Sequence, residues 1–168
     1  GGVFWGGIDF DPSSQVYLIS GFSDSYIQKL SPSGEFIWAK SIGDSILAQT
    51  RLVDIAVDNS NDVYATGTFY LTVDFDPGPG IFPLSAVTIG FKDIFILKLD
   101  NSGDFQWAKS IAGLKNDITY SIAIDNEKSV LTTGTFENIA DFDPALPIVN
   151  LSSAGFGDIF IHKMSICT

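Results

Sequence analysis

Short apolar segments recur along the chain, and turn-forming residues separate them. Phe36–Ile42 (FIWAKSI) alternates with a period of two, which is typical of β-strands. Residues 93–100 (DIFILKLD) are apolar at consecutive positions, as in strands that are buried on both faces. No segment of a dozen residues shows a convincing apolar period of 3.6. The sequence therefore predicts an all-β chain.

The predicted strands belong to an internal repeat. Residues 55–58 (IAVD) recur as 122–125 (IAID) at an offset of 67, and FIWAKSI recurs as FQWAKSI at an offset of 69. Each full unit contains four predicted strands. In the two full units the strands are predicted at 36–42, 52–58, 63–69 and 93–100, and at 105–111, 120–125, 130–136 and 158–165.

An insert separates the third and fourth strands of the full units, and its DFDPGPG turn predicts a hairpin. A partial copy at the N-terminus aligns through 8–11 and 16–17. In that register it lacks the insert, and the resemblance of residues 9–12 (DFDP) to 74–77 is coincidental. The resulting units are a partial blade at 1–33, a full blade at 34–103 with its insert at 70–92, and a full blade at 104–168 with its insert at 137–157.

Repeated four-stranded units predict β-propeller blades, because radial stacking buries both faces of each sheet. A β-sandwich is the alternative, but it gives no reason for close internal repetition. Closed propellers contain about four or more blades. We therefore expect the chain to be a fragment of a longer repeat protein, or to close by oligomerisation with further copies of itself.

Composition limits the classes of partner. Hydrophobic residues make up 45% of the chain, which is too apolar for disorder. The net charge is −11 and Arg51 is the only arginine, and so acidic a surface repels phosphate backbones, which argues against nucleic-acid binding. No apolar run approaches the roughly 18 residues of a transmembrane helix. Cys167 is the only cysteine and predicts no internal disulfide.

The segments WAK (38–40), IAVD, VYATG (63–67) and DIFILKL together resemble the SBBP-type bacterial β-propeller repeat, over nearly the whole chain. The DFDPGPG insert is similar to a variant found in large secreted bacterial surface proteins. The resemblance implies a β-propeller, an extracellular or cell-surface location, and a role in surface interaction or adhesion. It does not imply catalysis, because the residues that the family shares are mostly structural.

The paired carboxylates of the inserts are candidate calcium ligands. Carboxylates at i and i+2 project to one side of an extended segment, and Ca²⁺ takes six to eight oxygen ligands. The alternative is that Asp-Pro-Gly forms the turn and each Asp accepts local backbone hydrogen bonds. Asp93 and Asp158, which open the fourth strand, could complete a cation site or could bond locally. The candidate metal ligands are Asp74, Asp76, Asp141 and Asp143.

Two other residue types invite a functional interpretation. His162 is the only histidine, but the other copies have Gln28 and Leu97 at its position, so the repeat does not require an imidazole there. Trp38 and Trp107 are repeat-equivalent and could form sugar-stacking platforms or packed core; their repetition favours core. Trp5 lies outside that register and is expected to be exposed.

The sequence favours a non-catalytic module of a secreted or cell-surface bacterial protein that binds protein or glycan partners, or builds extracellular structure. One alternative is part of a propeller-scaffold enzyme whose catalytic residues lie outside this chain. Another is a repeating subunit of an extracellular filament or shell. The insert hairpin is the predicted binding element, because the blade scaffold does not require it.

Overall fold

The structure is a computed structural model that describes residues 1–43, 49–143 and 148–165. Within these ranges the chain is all-β, and no helix is long and apolar enough to cross a membrane. The strands are β1 Gly2–Asp9, β2 Leu18–Leu30, β3 Phe36–Ile42, β4 Thr50–Val57, β5 Val63–Phe69, β6 Thr72–Asp74, β7 Pro83–Ser85, β8 Asp93–Leu99, β9 Phe105–Gly113, β10 Asp117–Ile124, β11 Val130–Phe136, β12 Ile139–Asp141, β13 Asn150–Ser152 and β14 Asp158–Met164.

The sheets are numbered here in chain order, as the first, second and third. The second sheet contains a four-stranded antiparallel meander in the order β4-β5-β8-β9. Its last strand, β9, is the strand that opens the following sequence unit. In the same way β3 pairs with β2 in the first sheet, whose order is β1-β2-β3. The hydrogen-bonded sheets are therefore displaced by one strand from the units at 34–103 and 104–168. The third sheet has the order β10-β11-β14.

The inserts form short hairpins beside these sheets. In the second unit β6 pairs with β7, and in the third β12 pairs with β13. The β12 strand also pairs with the end of β9, through Ala140 with Gly113 and Asp141 with Ala112. An insert thus extends the sheet of the preceding unit, which gives the second sheet six strands in all.

The N-terminal segment occupies a different place in the repeat from the one expected. Residues 2–4 pair with 24–26 as 67–69 pair with 93–95, and residues 7–9 pair with 18–20 as β6 pairs with β7. The first unit therefore contains an insert hairpin, and describing 1–33 as strands two to four without an insert is wrong. Because its return segment is short, the insert strands continue into the sheet strands with only a bulge, and β1 and β2 each combine two strands.

Side chains of β8 alternate between two apolar layers. Phe95 and Leu97 pack toward the first sheet with Ile27 and Trp38, whereas Ile94 and Ile96 pack toward the third sheet with residues such as Phe160. Burial of each such side chain stabilises the fold by about 1.5–3 kcal/mol. Packing on both faces explains why DIFILKL is apolar at consecutive positions, and it is the arrangement of stacked β-propeller blades.

Candidate functional site

The DFDP segments form turns that their own carboxylates stabilise. Asp74 Oδ1 accepts hydrogen bonds from the backbone N–H groups of Asp76 at 3.0 Å and Phe82 at 2.8 Å. Asp76 Oδ1 accepts one from Gly78 N–H at 2.7 Å. In the third unit Asp141 Oδ1 accepts from Asp143 and Val149 N–H at 3.0 and 2.9 Å. Asx hydrogen bonds of this kind hold both strands of the hairpin at a fixed separation.

The first unit has the same loop. Asp9 Oδ1 accepts hydrogen bonds from Asp11 N–H at 3.1 Å and Tyr17 N–H at 2.9 Å, and Asp11 Oδ1 accepts from Ser13 N–H at 2.8 Å. The resemblance of Asp9-Phe10-Asp11-Pro12 to the other DFDP segments is therefore structural, and treating it as coincidental is wrong. The sequence carries the signal: residues 2–12 (GVFWGGIDFDP) align without a gap with 67–77 (GTFYLTVDFDP).

The phenylalanine of each loop anchors it to the sheet. Phe75 is completely buried and makes an edge-to-face contact with Phe69, at 5.3 Å between ring centroids. Its ring also lies 4.9 Å from that of Phe95. The equivalent pairs Phe142 with Phe136 and Phe10 with Phe4 have centroid distances of 5.1 and 5.6 Å. The aromatic contacts and the Asx bonds together make the base of each insert part of the packed core.

Calcium binding by Asp74, Asp76, Asp141 and Asp143 stays a prediction. The hydrogen bonds above give the acceptor oxygens of these loops a structural role in the turns. In the ranges that the structure describes, no three His, Cys, Asp or Glu side chains are grouped so as to hold a metal ion. Pro144, the last residue of the third DFDP segment, lies outside those ranges.

The aspartates that open the fourth strand of each unit bond to the end of the insert. Asp93 Oδ2 accepts a hydrogen bond from Val87 N–H at 2.7 Å, and Asp158 Oδ2 accepts one from Ala154 N–H at 2.7 Å. In the first unit Asp24 Oδ2 accepts from Phe22 N–H at 3.2 Å. Local hydrogen bonding is thus what these positions share, and it fixes the returning strand of each insert to the sheet.

A buried pair of carboxyl groups, not predicted from the sequence, lies between the second and third sheets. Asp93 and Asp117 are both buried, and burial raises the pKa of each. For Asp117 burial is the largest cause, repulsion from Asp93 the next, and its pKa rises to about 7. Asp117 Oδ1 accepts a long hydrogen bond from Glu137 N–H, at 3.4 Å, whereas Oδ2 has no hydrogen-bond partner.

The equivalent position between the first and second sheets is neutral. Thr50 replaces Asp117 there, 67 residues earlier in the repeat. Its hydroxyl donates to Ile42 C=O at 2.8 Å and accepts from Ser25 N–H at 2.9 Å, so both of its hydrogen-bonding roles are satisfied. Because one blade interface has a neutral hydroxyl at this position, stacking of the sheets does not require a carboxyl group.

The other candidates from the sequence are dispersed. Trp38 is buried and its Nε1–H donates to Asn101 C=O at 3.1 Å, while Trp107 packs against Tyr64; both belong to the layers between sheets. Trp5 is 68% exposed. His162 lies in β14 beside Phe142, and burial lowers the pKa of its imidazole.

Comparison with known proteins supports the architecture. No protein-family model matches the chain. The chain is similar to an uncharacterised WD repeat-containing protein, L264, of Acanthamoeba polyphaga mimivirus: the two are 28% identical over 123 residues, which cover 66% of this chain and 9% of that protein. The chain thus spans less than a tenth of the length of this relative. This chain is built of β-propeller blades.

Proposed function

We propose that this chain is a non-catalytic β-propeller module that binds a protein partner through its insert hairpins. The observation that supports the proposal is the distribution of exposed apolar side chains. In the described ranges, 15 of the 24 large apolar side chains that are exposed lie in the insert segments 5–23, 70–92 and 137–157. They are Trp5, Ile8, Val16, Tyr17, Leu18, Phe22, Leu71, Ile81, Val87, Ile89, Ile139, Ile148, Val149, Leu151 and Phe156.

Exposed apolar groups on the inserts are not needed for the blades. The sheet strands on either side of the second insert, β5 and β8, pair along their whole length. The base of the insert is held by the buried ring of Phe75, whereas Ile81, Ile89 and Phe156 lie almost wholly in solvent. Exposed apolar side chains that are concentrated in one type of segment are candidates for an interaction site. The net charge of −11 keeps the rest of the surface well solvated.

The resemblance to SBBP-type repeats supports the remaining parts of the proposal, which are a secreted or cell-surface bacterial protein and a role in adhesion or extracellular structure. A glycan partner is consistent with the same setting. The acidic surface argues against nucleic acid.

The test compares two triple variants. In the first, Ile81, Ile89 and Phe156 are changed to serine; in the control, Leu30, Ile37 and Leu114, which are exposed outside the inserts, are changed to serine. Immobilised wild type, variant and control are exposed to bacterial surface extracts, and the retained proteins are quantified by mass spectrometry. We expect a defined protein to be retained by wild type and control and to be reduced at least tenfold by the insert variant. Equal retention by all three would overturn the proposal.

A second candidate function is packing against further blades, either of a longer chain or of another copy. Ile159 and Ile161 on β14 are 82% and 81% exposed, although their equivalents Ile94 and Ile96 are completely buried by the third sheet. The same apolar strand is thus covered in one sheet and uncovered in the other. We propose that a sheet of the same type covers it. Native mass spectrometry would detect self-association, and Ile159→Ser with Ile161→Ser should abolish it; a monomer at all concentrations excludes copies of this chain as the cover.

A further inference from the structure

A cleft opens between the insert stem of the first unit and the edge of the second sheet. Its volume is about 510 Å³, within the range of about 300–1,000 Å³ that is typical of small-ligand sites. The first unit contributes Trp5, and the second unit contributes Arg51, Tyr70 and Lys92. Polar side chains such as that of Gln49 and two aliphatic side chains complete the lining. Two aromatic rings and two cations therefore face one concave surface.

The two cations of this cleft have no carboxylate partner in the described part of the chain, a property that they share with Lys29, Lys109 and Lys115. Ion pairs join Lys40, Lys98, Lys128 and Lys163 to carboxylates. Neither Arg51 nor Lys92 forms an ion pair with any residue that the structure describes. Lys92 Nζ instead lies over the ring of Tyr70, 5.4 Å from its centroid. Within the described residues, no carboxylate neutralises the positive charge at this cleft, so that charge can bind a ligand.

The repeat shows that these side chains are not required by the fold. The third unit replaces Arg51 by Ile118, Tyr70 by Glu137 and Lys92 by Gly157 at equivalent positions. The β10 strand, which carries Ile118, pairs with β11 in the same register as β4 pairs with β5. Since the blade forms with an apolar, an acidic or no side chain at these positions, the combination in the second unit has another role.

We propose that this cleft binds a short saccharide that carries a carboxylate, such as a uronic acid disaccharide. A guanidinium group can bind a carboxylate through two parallel hydrogen bonds, and the Lys92 ammonium adds a second positive charge. Trp5 lines the cleft and is 68% exposed, so its ring is accessible for stacking on the apolar face of a sugar. The net charge of −11 repels long polyanions, so a short ligand fits better than an extended acidic polymer. The cleft shares Trp5 with the exposed insert residues, but Ile81, Ile89 and Phe156 do not line it.

Titration calorimetry of the intact chain with digalacturonate tests the inference. Galactobiose is the neutral control, and acetate is the control for the carboxylate alone. We expect digalacturonate to bind at least tenfold more tightly than either. Arg51→Gln and Trp5→Ala should each weaken binding at least tenfold. The matched control is Lys115→Gln, because Lys115 lies over Phe91 outside the cleft and its loss changes the net charge equally; it should leave affinity within twofold.

Three results would overturn the inference. The first is no detectable binding of digalacturonate at millimolar concentration. The second is equal affinity for galactobiose or for acetate, which would mean that the sugar or the anion alone is recognised. The third is equal weakening by Arg51→Gln and Lys115→Gln, which would indicate a general charge effect. Near-ultraviolet circular dichroism of each variant verifies that the blades are folded. If the triple serine variant of Ile81, Ile89 and Phe156 loses protein capture but still binds the saccharide, the cleft is independent of the proposed protein-binding function.

Discussion

The buried carboxyl pair predicts that the blade interface is less stable at neutral and alkaline pH than at mildly acidic pH. Asp117 has a pKa of about 7 in the folded chain and about 4 when unfolded. At pH values between about 4 and about 7, the carboxyl group of Asp117 keeps its proton in the folded state and has released it in the unfolded state. Stability therefore decreases as the pH rises from about 4 to about 7, and the full loss is present above pH 7.

The magnitude follows from the size of the shift. A difference of about 3 pH units, at about 1.36 kcal/mol per unit, gives an upper limit of about 4 kcal/mol. Local opening that admits water to the carboxylate reduces this penalty, and we expect a loss of about 2 kcal/mol. Asp93 and Glu137 contribute in the same direction, because their negative charges repel an ionised Asp117.

Urea unfolding of wild type and Asp117→Asn at pH 5 and pH 8 measures this effect. We expect the variant to be more stable than wild type by about 2 kcal/mol at pH 8, because the amide cannot ionise, and to show no such advantage at pH 5. Asp117→Thr, which copies Thr50 of the other interface, should behave similarly. Asp104→Asn removes a charge from an exposed side chain and serves as the control. If wild type is as stable as Asp117→Asn at pH 8, Asp117 does not carry a buried charge.

Three further predictions follow from contacts in the sheets and loops. Gly67→Ala should lower the free energy of unfolding by about 1–3 kcal/mol, because the added Cβ would lie 2.1 Å from the carbonyl oxygen of Arg51. In the same urea unfolding experiment Gly155→Ala should be neutral, because its Cβ would meet no atom within 4 Å. Phe75→Ala should cost about 3–5 kcal/mol, and the exposed Phe156→Ala should not measurably change the free energy of unfolding. Calcium binding by the DFDP aspartates predicts that EDTA lowers the melting temperature and that added calcium restores it. An unchanged melting temperature would instead mean that the backbone N–H groups alone satisfy these carboxylates in the turns.

Local patterns predicted the strands well, because a period of two and short turns are properties of neighbouring residues. The strands expected at 63–69 and 130–136 lie at those bounds, and the apolar run of 93–100 is buried on both faces as expected. The register of the first unit was wrong for a physical reason. That register aligns residues 8–11 with the strand residues 55–58, which share only a short apolar pattern. The DFDP loop is a stronger guide, because its Asx hydrogen bonds and its buried phenylalanine require particular residues.

The candidate site was less predictable than the fold. The sequence identified the inserts as distinct from the scaffold, but it did not show which of their side chains reach solvent. The proximity of Trp5 to Arg51 and of Asp93 to Asp117 arises from packing between units, and residues so far apart in sequence give no local signal. A comparison of the repeats position by position singles out Arg51 and Asp117 as departures, but it does not pair them with Trp5 and Asp93.

The fixed base of each insert has a consequence for protein engineering. The first Asp of the DFDP segment and the Asp that opens the next sheet strand are separated by 15, 19 and 17 residues in the three units. The same Asx bonds close all three hairpins, so the fold tolerates changes in loop length between these two anchors at little entropic cost. Unrelated peptide sequences could therefore be grafted between them. A stack of such blades would display several variable loops side by side, and a library built on it could be selected for new binding specificities.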